Sequence, residues 1–243
     1  MKTYFSPILI PFALFVASAS AIELVRETLH TEDLEALLEQ ERLNEISERL
    51  DCSFWLYDTS TVYMNSWSNS QLFPYEGKTV SFDEFTVLKL DSARWPAVFP
   101  LKNKVNSPFK SRGSHRWHNG IDIQLKTGEK IASTFDGVVR YSGYNSGGFG
   151  NLVIIRHPNG LETYYAHLSK RLVSANQKVH AGQTVGLGGS TGRSNGPHLH
   201  FEIRIEDRPI NPEILFDLKD FSLVRNEIQL TADIFPPDRY IRN

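Results

Sequence analysis

The sequence predicts a mainly β, antiparallel fold over residues 96–216. Three observations carry that expectation: short β-branched apolar runs, turn residues between them, and polar–apolar alternation inside the best-defined run. The runs are Gly137–Tyr141, Asn151–Arg156, Leu161–Tyr165 and Thr184–Leu187, each of strand length and bounded by Gly, Asn or Pro. Pro158-Asn159-Gly160 joins two of them as a tight hairpin turn.

The segments before that domain read differently. Lys2 is followed by an apolar stretch from Ile8 to Val16, interrupted by Pro11, and then by Ala17-Ser18-Ala19-Ser20-Ala21. This is the pattern of a secretory signal peptide over residues 1–21, with cleavage after Ala21 or after Ala19. The stretch falls short of the roughly 20 residues a spanning helix needs, so no stable membrane span is expected after cleavage. The mature protein is expected to be exported to the periplasm, cell envelope or extracellular space. Residues 22–95 form an N-terminal helical and irregular segment. Within it Thr31 to Leu50 reads as a helix, with Thr31 as N-cap, Glu32 and Asp33 in the first turn, and Leu34, Leu37, Leu38, Leu43, Ile46 and Leu50 as an apolar stripe. Phe54, Trp55, Tyr57, Tyr63, Trp67, Phe73 and Tyr75 follow with weak periodicity and are read as core aromatics rather than a glycan patch. The segment is expected to cover part of the groove of the main domain. The tail, residues 217–243, is mixed and carries no pattern.

Composition bounds the function. A chain of 243 residues that is 40% hydrophobic and 22% charged, with mean hydropathy −0.31, can bury a sizeable core. The net charge of −2 supplies no basic field for nucleic acid or an anionic membrane. Cys52 is the only cysteine, which excludes an intrachain disulfide and a Cys-based zinc site. Oligomeric state is not readable from these residues.

The chemistry lies in four histidines and one aspartate. His118 and Asp122 stand in His118-Asn119-Gly120-Ile121-Asp122, His167 ends Tyr164-Tyr165-Ala166-His167, and His198 and His200 close Gly196-Pro197-His198-Leu199-His200. Nitrogen and oxygen donors of this kind suit a zinc ion with an open coordination position, which points to a hydrolase. On a strand from His198, alternation sends His198, His200, Glu202 and Arg204 to one face, toward a groove, and Leu199, Phe201, Ile203 and Ile205 to the core. The same parity puts His118, Gly120 and Asp122 together, and places His167 on the face of Tyr165 if that segment is extended. His30, His115, His157 and His180 are read as structural hydrogen-bonding residues. Gly186-Leu187-Gly188-Gly189-Ser190-Thr191-Gly192 lacks the Lys-Ser/Thr ending of a phosphate loop and the third glycine of a dinucleotide site. Ser146-Gly147-Gly148-Phe149-Gly150 is either a simple turn or a loop that walls a groove.

These motifs together closely resemble the M23 (lysostaphin-type) peptidase family. The connecting sequence resembles it too, in Ser-Pro-Phe around Pro108, Asp136-Gly137-Val138-Val139, Gly150-Asn151, Ala181-Gly182-Gln183 and Asn211-Pro212. The resemblance covers residues 96–216 and implies an antiparallel β-sandwich, or barrel-sandwich hybrid, with loops such as 146–150 walling the groove. It implies one Zn²⁺ per chain held by His118, Asp122 and His200, with His167 and His198 as an unliganded catalytic pair. The implied activity is that of an exported metalloendopeptidase hydrolysing peptide bonds of bacterial peptidoglycan stems or cross-links through a zinc-bound water. The other reading is a catalytically silent wall-binding or hydrolase-activator protein on the same fold. The export signal without a repeated wall-binding module favours D-Ala–diaminopimelate cross-links over glycine bridges, and the general base is either His167 or His198.

Overall fold

A computed structural model describes residues 67–75, 87–90, 96–112 and 117–237. The expected signal peptide, the Thr31–Leu50 helix and the aromatics from Phe54 to Tyr63 lie outside the described residues. All described residues fall in one compact unit, Asp58–Asn243. No described helix is long and apolar enough to cross a membrane.

The fold is mainly antiparallel β, as the alternating runs predict. Its strands in chain order are β1 (Val87–Lys89), β2 (Val105–Ser107), β3 (Lys110–Ser111), β4 (Trp117–His118), β5 (Ile121–Gln124), β6 (Lys130–Ala132), β7 (Gly137–Asn145) and β8 (Gly150–Arg156). They continue with β9 (Leu161–Leu168), β10 (Lys170–Arg171), β11 (Lys178–Val179), β12 (Thr184–Leu187), β13 (His198–Ile205), β14 (Arg208–Ile210) and β15 (Glu227–Gln229). The main sheet runs β11-β7-β8-β9-β13-β5-β2, with β14 also on β13, and a smaller sheet runs β10-β12-β6. The expected hairpin at Pro158-Asn159-Gly160 joins β8 to β9, with Gly160 at φ 87. Helical structure among the described residues is confined to two 3-10 turns, Pro212–Ile214 and Ala232–Ile234.

Strand alternation gives the main sheet two different faces. Ile121, Ile123, Val153, Ile155, Tyr165, Leu199, Phe201 and Ile203 point to a core that also takes Ile131 from β6 and Val185 from β12. This is the apolar layer between two sheets that a sandwich requires. The tail joins it: β15 pairs with β1, and Ile228, Leu230 and Phe235 are buried. That organisation was not visible in a tail of mixed composition, because three-residue strands carry too few positions to establish a period.

The opposite face is partly charged. Arg140, Arg156, Glu162, Glu202 and Arg204 are all at most 1% exposed, beside Leu152, Ile154, Tyr164 and Ala166. Residues 67–75 lie across this face as a strap. The Arg140 guanidinium donates to Ser68 O at 3.0 Å, Gln71 O at 2.8 Å and Leu72 O at 2.8 Å, and it pairs with the Glu162 carboxylate. Arg156 donates to the same carboxylate at 2.8 Å and stacks over Trp67 and Tyr75. Burying charge is costly unless each ion is paired and hydrogen-bonded, and here both conditions are met by one carboxylate and a run of strap carbonyls. Of the segment expected to cover part of the groove, residues 67–75 bind the charged sheet face and β1 pairs with the tail, while most of residues 22–95 lie outside the described residues.

Two β-bulges re-aim side chains. In β7 the register shifts between Val139 and Tyr141, so Arg140 is the extra residue. Between β8 and β9, Asn151 faces Leu168 while Val153 faces Tyr165, so Leu152 alone opposes Ala166 and His167.

Glu162 anchors the charged face. Burial would raise its pKa, but Arg140 and Arg156 outweigh burial and lower it from about 4.5. A lowered folded-state pKa means the unfolded chain binds the proton first, so this stabilisation is present above about pH 4.5 and is lost as pH falls below it. Glu162→Gln is expected to lose about 3–5 kcal/mol at pH 7 by leaving two guanidiniums uncompensated. The deficit relative to wild type should narrow in urea melts at pH 3.5, and an unchanged deficit would contradict this account.

Candidate metal centre

β13 is the central strand of the site. His200 faces Asp122 on β5 and Ala166 on β9, so one strand carries a histidine between two neighbours that supply the other groups. His118 arrives from β4, which pairs with β3 outside the main sheet. The expected continuous parity from His118 to Asp122 is broken at Asn119–Gly120, where the chain turns between sheets, but the two side chains still converge. Gly120 permits that turn: a Cβ there would sit 2.2 Å from Phe201 O and 2.8 Å from Glu202 Cγ.

His118 Nε2, Asp122 Oδ1 and His200 Nδ1 form a nearly equilateral triangle. Its sides are 3.0 Å (His118–Asp122), 2.9 Å (His200–Asp122) and 3.1 Å (His118–His200). The outer nitrogens define the tautomers, since a carbonyl can only accept. His118 Nδ1 donates to Pro108 O at 2.9 Å, and His200 Nε2 donates to Glu202 Oε1 at 2.8 Å. With both outer N–H bonds kept, the inner atoms can turn three lone pairs to one point, where a cation, or in its absence a proton shared with the Asp122 carboxylate, relieves their repulsion. A tetrahedral ion with bonds of about 2.0–2.1 Å spaces its ligands roughly 3.3 Å apart, close to the triangle seen. These residues fit a metal ion, and they are the described His/Asp group able to hold one.

The electrostatics have the same sense. Burial by itself lowers the His200 pKa, yet hydrogen bonds and charge from Asp122 and Glu202 raise it to about 9. Burial would raise the Asp122 pKa, but His118 and His200 hold it far below the usual carboxylate range. Arg112 occupies the other oxygen of Asp122 at 3.0 Å, which leaves Oδ1 for the centre. Glu202 is buried, but Arg204 and His200 bring its pKa down to about 2, so it stays a carboxylate.

His167 and His198 stand beside the triangle, their ring centroids 4.7 Å apart. Each is held alike: His167 Nδ1 donates to Thr191 O and His198 Nδ1 to Gly196 O, both at 2.8 Å. Each keeps an Nε2 lone pair, and His198 Nε2 lies 3.7 Å from Asp122 Oδ1. The structure corrects the expectation that His167 shares the face of Tyr165. Tyr165 packs on Phe201 in the core, whereas His167 lies 5.8 Å from the His200 ring. The bulge opposite Leu152 and a left-handed φ of 59 at His167 turn its side chain to the other face. Burial and the neighbouring His200 lower the His167 pKa to about 4, so it is uncharged at neutral pH.

These groups open on a groove of about 770 Å³ lined by all five residues together with Arg112, Trp117, Phe149 and Arg193–Pro197. The glycine loop at 146–150 walls it through Gly147, Gly148 and Phe149. Gly150, at φ 66, lets that loop meet the 191–193 turn, where a Cβ would come 2.4 Å from the Thr191 carbonyl carbon. The second glycine-rich segment leads into that turn and not into a helix. Of the histidines read as structural, His157 is buried between Asp136 O and Thr163 Oγ1, and His180 lies 3.6 Å from Asp136. His30 and His115 lie outside the described residues. Alternation had placed Glu202 and Arg204 with His200, but Arg204 is buried beneath the strap and not on the groove. The orienting groups Glu202, Pro108 O and Thr191 O were not identified from sequence. Parity carried a signal for Glu202, and nothing local carries one for the carbonyls.

Comparison with known proteins agrees with this geometry. Residues 116–212 match peptidase family M23. The chain is 46% identical over 114 residues to the DD-carboxypeptidase/endopeptidase Mpg of Neisseria meningitidis serogroup B, covering 45% of this chain and 26% of that protein. It is 47% identical over 121 residues to the peptidoglycan DD-endopeptidase ShyA of Vibrio cholerae, covering 46% and 28%. It is also 39% identical over 127 residues to the murein hydrolase activator NlpD of Escherichia coli, covering 52% and 32%. The chain thus spans about a quarter to a third of the length of these relatives.

Gly120→Ala is expected to cost about 1–3 kcal/mol by forcing β5 away from β13. It should also weaken Zn²⁺ binding, measured by chelator competition, at least tenfold. Wild-type affinity in a folded variant would show that the close approach does not set the triangle.

Proposed function

With residues 116–212 a peptidase family M23 domain, we propose that this chain is an exported zinc metalloendopeptidase that hydrolyses peptide bonds of bacterial peptidoglycan. The observation that carries the reading is the triangle of three donor atoms, His118 Nε2, Asp122 Oδ1 and His200 Nδ1, with two further histidines beside it. His118, Asp122 and His200 would hold one Zn²⁺. When bound, that ion supplies acidification of a coordinated water, from a pKa of about 16 toward about 7, and polarisation of a carbonyl. The named relatives ShyA and Mpg support a cross-link peptide as substrate, and the signal-like N-terminus supports export to the cell envelope.

The chain's own residues perform the remaining work. The groove, about 770 Å³ in volume, runs beside the loop at 146–150, whose glycines would let the backbone of a bound peptide approach. His167 and His198 each turn an Nε2 lone pair to the reacting centre, fixed by an Nδ1–H bond to a carbonyl. One accepts the proton of the attacking water as the C–O bond forms, and that same proton, given up directly or through the other imidazole, goes to the amine nitrogen as the C–N bond breaks.

A second reading, an activator of other wall hydrolases, is favoured by the likeness to NlpD. The intact triangle supports the enzyme, since an activator does not need three ligand atoms facing one another. Purified protein incubated with wall sacculi should release peptides carrying new termini, identified by mass spectrometry. His118→Ala should abolish release together with metal, whereas His167→Ala and His198→Ala should lower kcat by about 10²–10⁴ while zinc content stays at one per chain. Zinc-loaded protein that cuts no wall type, yet stimulates a second hydrolase equally well as His200→Ala, would establish the activator instead.

A further inference from the structure

His200 is held from behind by a buried relay that leads out of the family domain. Its Nε2 donates to Glu202 Oε1 at 2.8 Å, and the other oxygen of Glu202 accepts from Arg204 Nε at 2.6 Å. Arg204 is fully buried, and its Nη1 donates to Asp207 O at 2.8 Å. The guanidinium is clamped between two rings, Phe73 of the strap at 4.9 Å and Tyr164 at 5.0 Å. The strap is tied down on either side of Phe73. Leu72 O accepts from Arg140 and Tyr164, and Tyr75 N donates to the Asp207 carboxylate at 2.6 Å.

Each link is directional. Glu202 can only accept, so its oxygen selects the Nε2–H tautomer of His200 and turns Nδ1 to the triangle. A carboxylate hydrogen-bonded to the far nitrogen of a ligating imidazole also makes that imidazole a better donor. Arg204 can only donate, so it fixes which Glu202 oxygen faces His200. Phe73 packs against the fully buried Arg204 guanidinium, and a dry guanidinium holds its carboxylate more firmly.

We propose that Glu202 is a positioning residue for His200, and that the strap, through Phe73 on Arg204, holds it in place. Residues 67–75, upstream of the matched family segment 116–212, are then a working part of the metal centre. The inference rests on the reading of His118, Asp122 and His200 as metal ligands.

The test uses the full chain, with Zn²⁺ and Co²⁺ as probes. Wild type should bind one Zn²⁺, and His118→Ala should lose it. Glu202→Gln, which removes the charge and leaves one acceptor oxygen for the two donors His200 Nε2–H and Arg204 Nε–H, should weaken Zn²⁺ about tenfold and shift the visible Co²⁺ spectrum. Phe73→Ala should weaken Zn²⁺ two- to fivefold, and should add little in the Glu202→Gln background. A tautomer measurement covers the case of a variant that fails to fold: ¹⁵N spectra of Zn²⁺-loaded wild type should place the His200 proton on Nε2. If wild type binds Zn²⁺ but Glu202→Gln binds equally, or if the proton sits on Nδ1, the positioning role is overturned while the metal reading stands. If Phe73→Ala and Glu202→Gln multiply independently, the strap link falls. If wild type binds no Zn²⁺, both readings fall together.

Discussion

Three nitrogen and oxygen donor atoms held about 3 Å apart need a positive charge among them, and much of the structure serves to keep them there. His118, Asp122 and His200 come from three strands in two sheets. Attraction to the Asp122 carboxylate draws the two imidazoles in but does not set their ring orientation. Each is instead held from its outer side, His118 by Pro108 O, Asp122 by Arg112, and His200 by Glu202. The ring orientations are thus decided before any ion arrives, which is what preorganisation of a metal site requires.

The main sheet makes this possible by having one dry apolar face and one face that changes character along its length. Near His200 that face opens to the groove. A few residues further along β13 it is sealed by the strap and filled with paired charges. An apolar filling would have packed at lower desolvation cost. A charged one can transmit direction, because carboxylates only accept and guanidiniums only donate. The same sheet face therefore joins the strap to the side chains behind His200.

Alternation on β13 was legible from the residues alone, because a period of two survives wherever one face is buried. It correctly grouped His200 with Glu202 and separated both from Phe201. The hairpin at Asn159–Gly160 was legible for a comparable reason, since its turn requires a positive φ. Parity failed at His167, where a bulge resets the period and leaves no mark that simple counting detects. Across Asn119–Gly120 the chain passes between sheets, yet His118 and Asp122 still meet as alternation had grouped them. The place of residues 67–75 was not legible for another reason. What the strap binds is a set of guanidiniums contributed by β7, β8 and β13, which no local pattern reveals.

By itself, then, the sequence determined the fold class, the five side chains able to serve a metal-dependent hydrolysis, and the strand faces of most of them, because these follow from residue chemistry and a period of two. Tertiary structure alone decided that the five converge, which imidazole nitrogen each presents, and which partners lie behind them. Those outcomes depend on register, bulges and backbone carbonyls from distant segments, and a carbonyl is present at every residue, so its position carries no signature in the sequence.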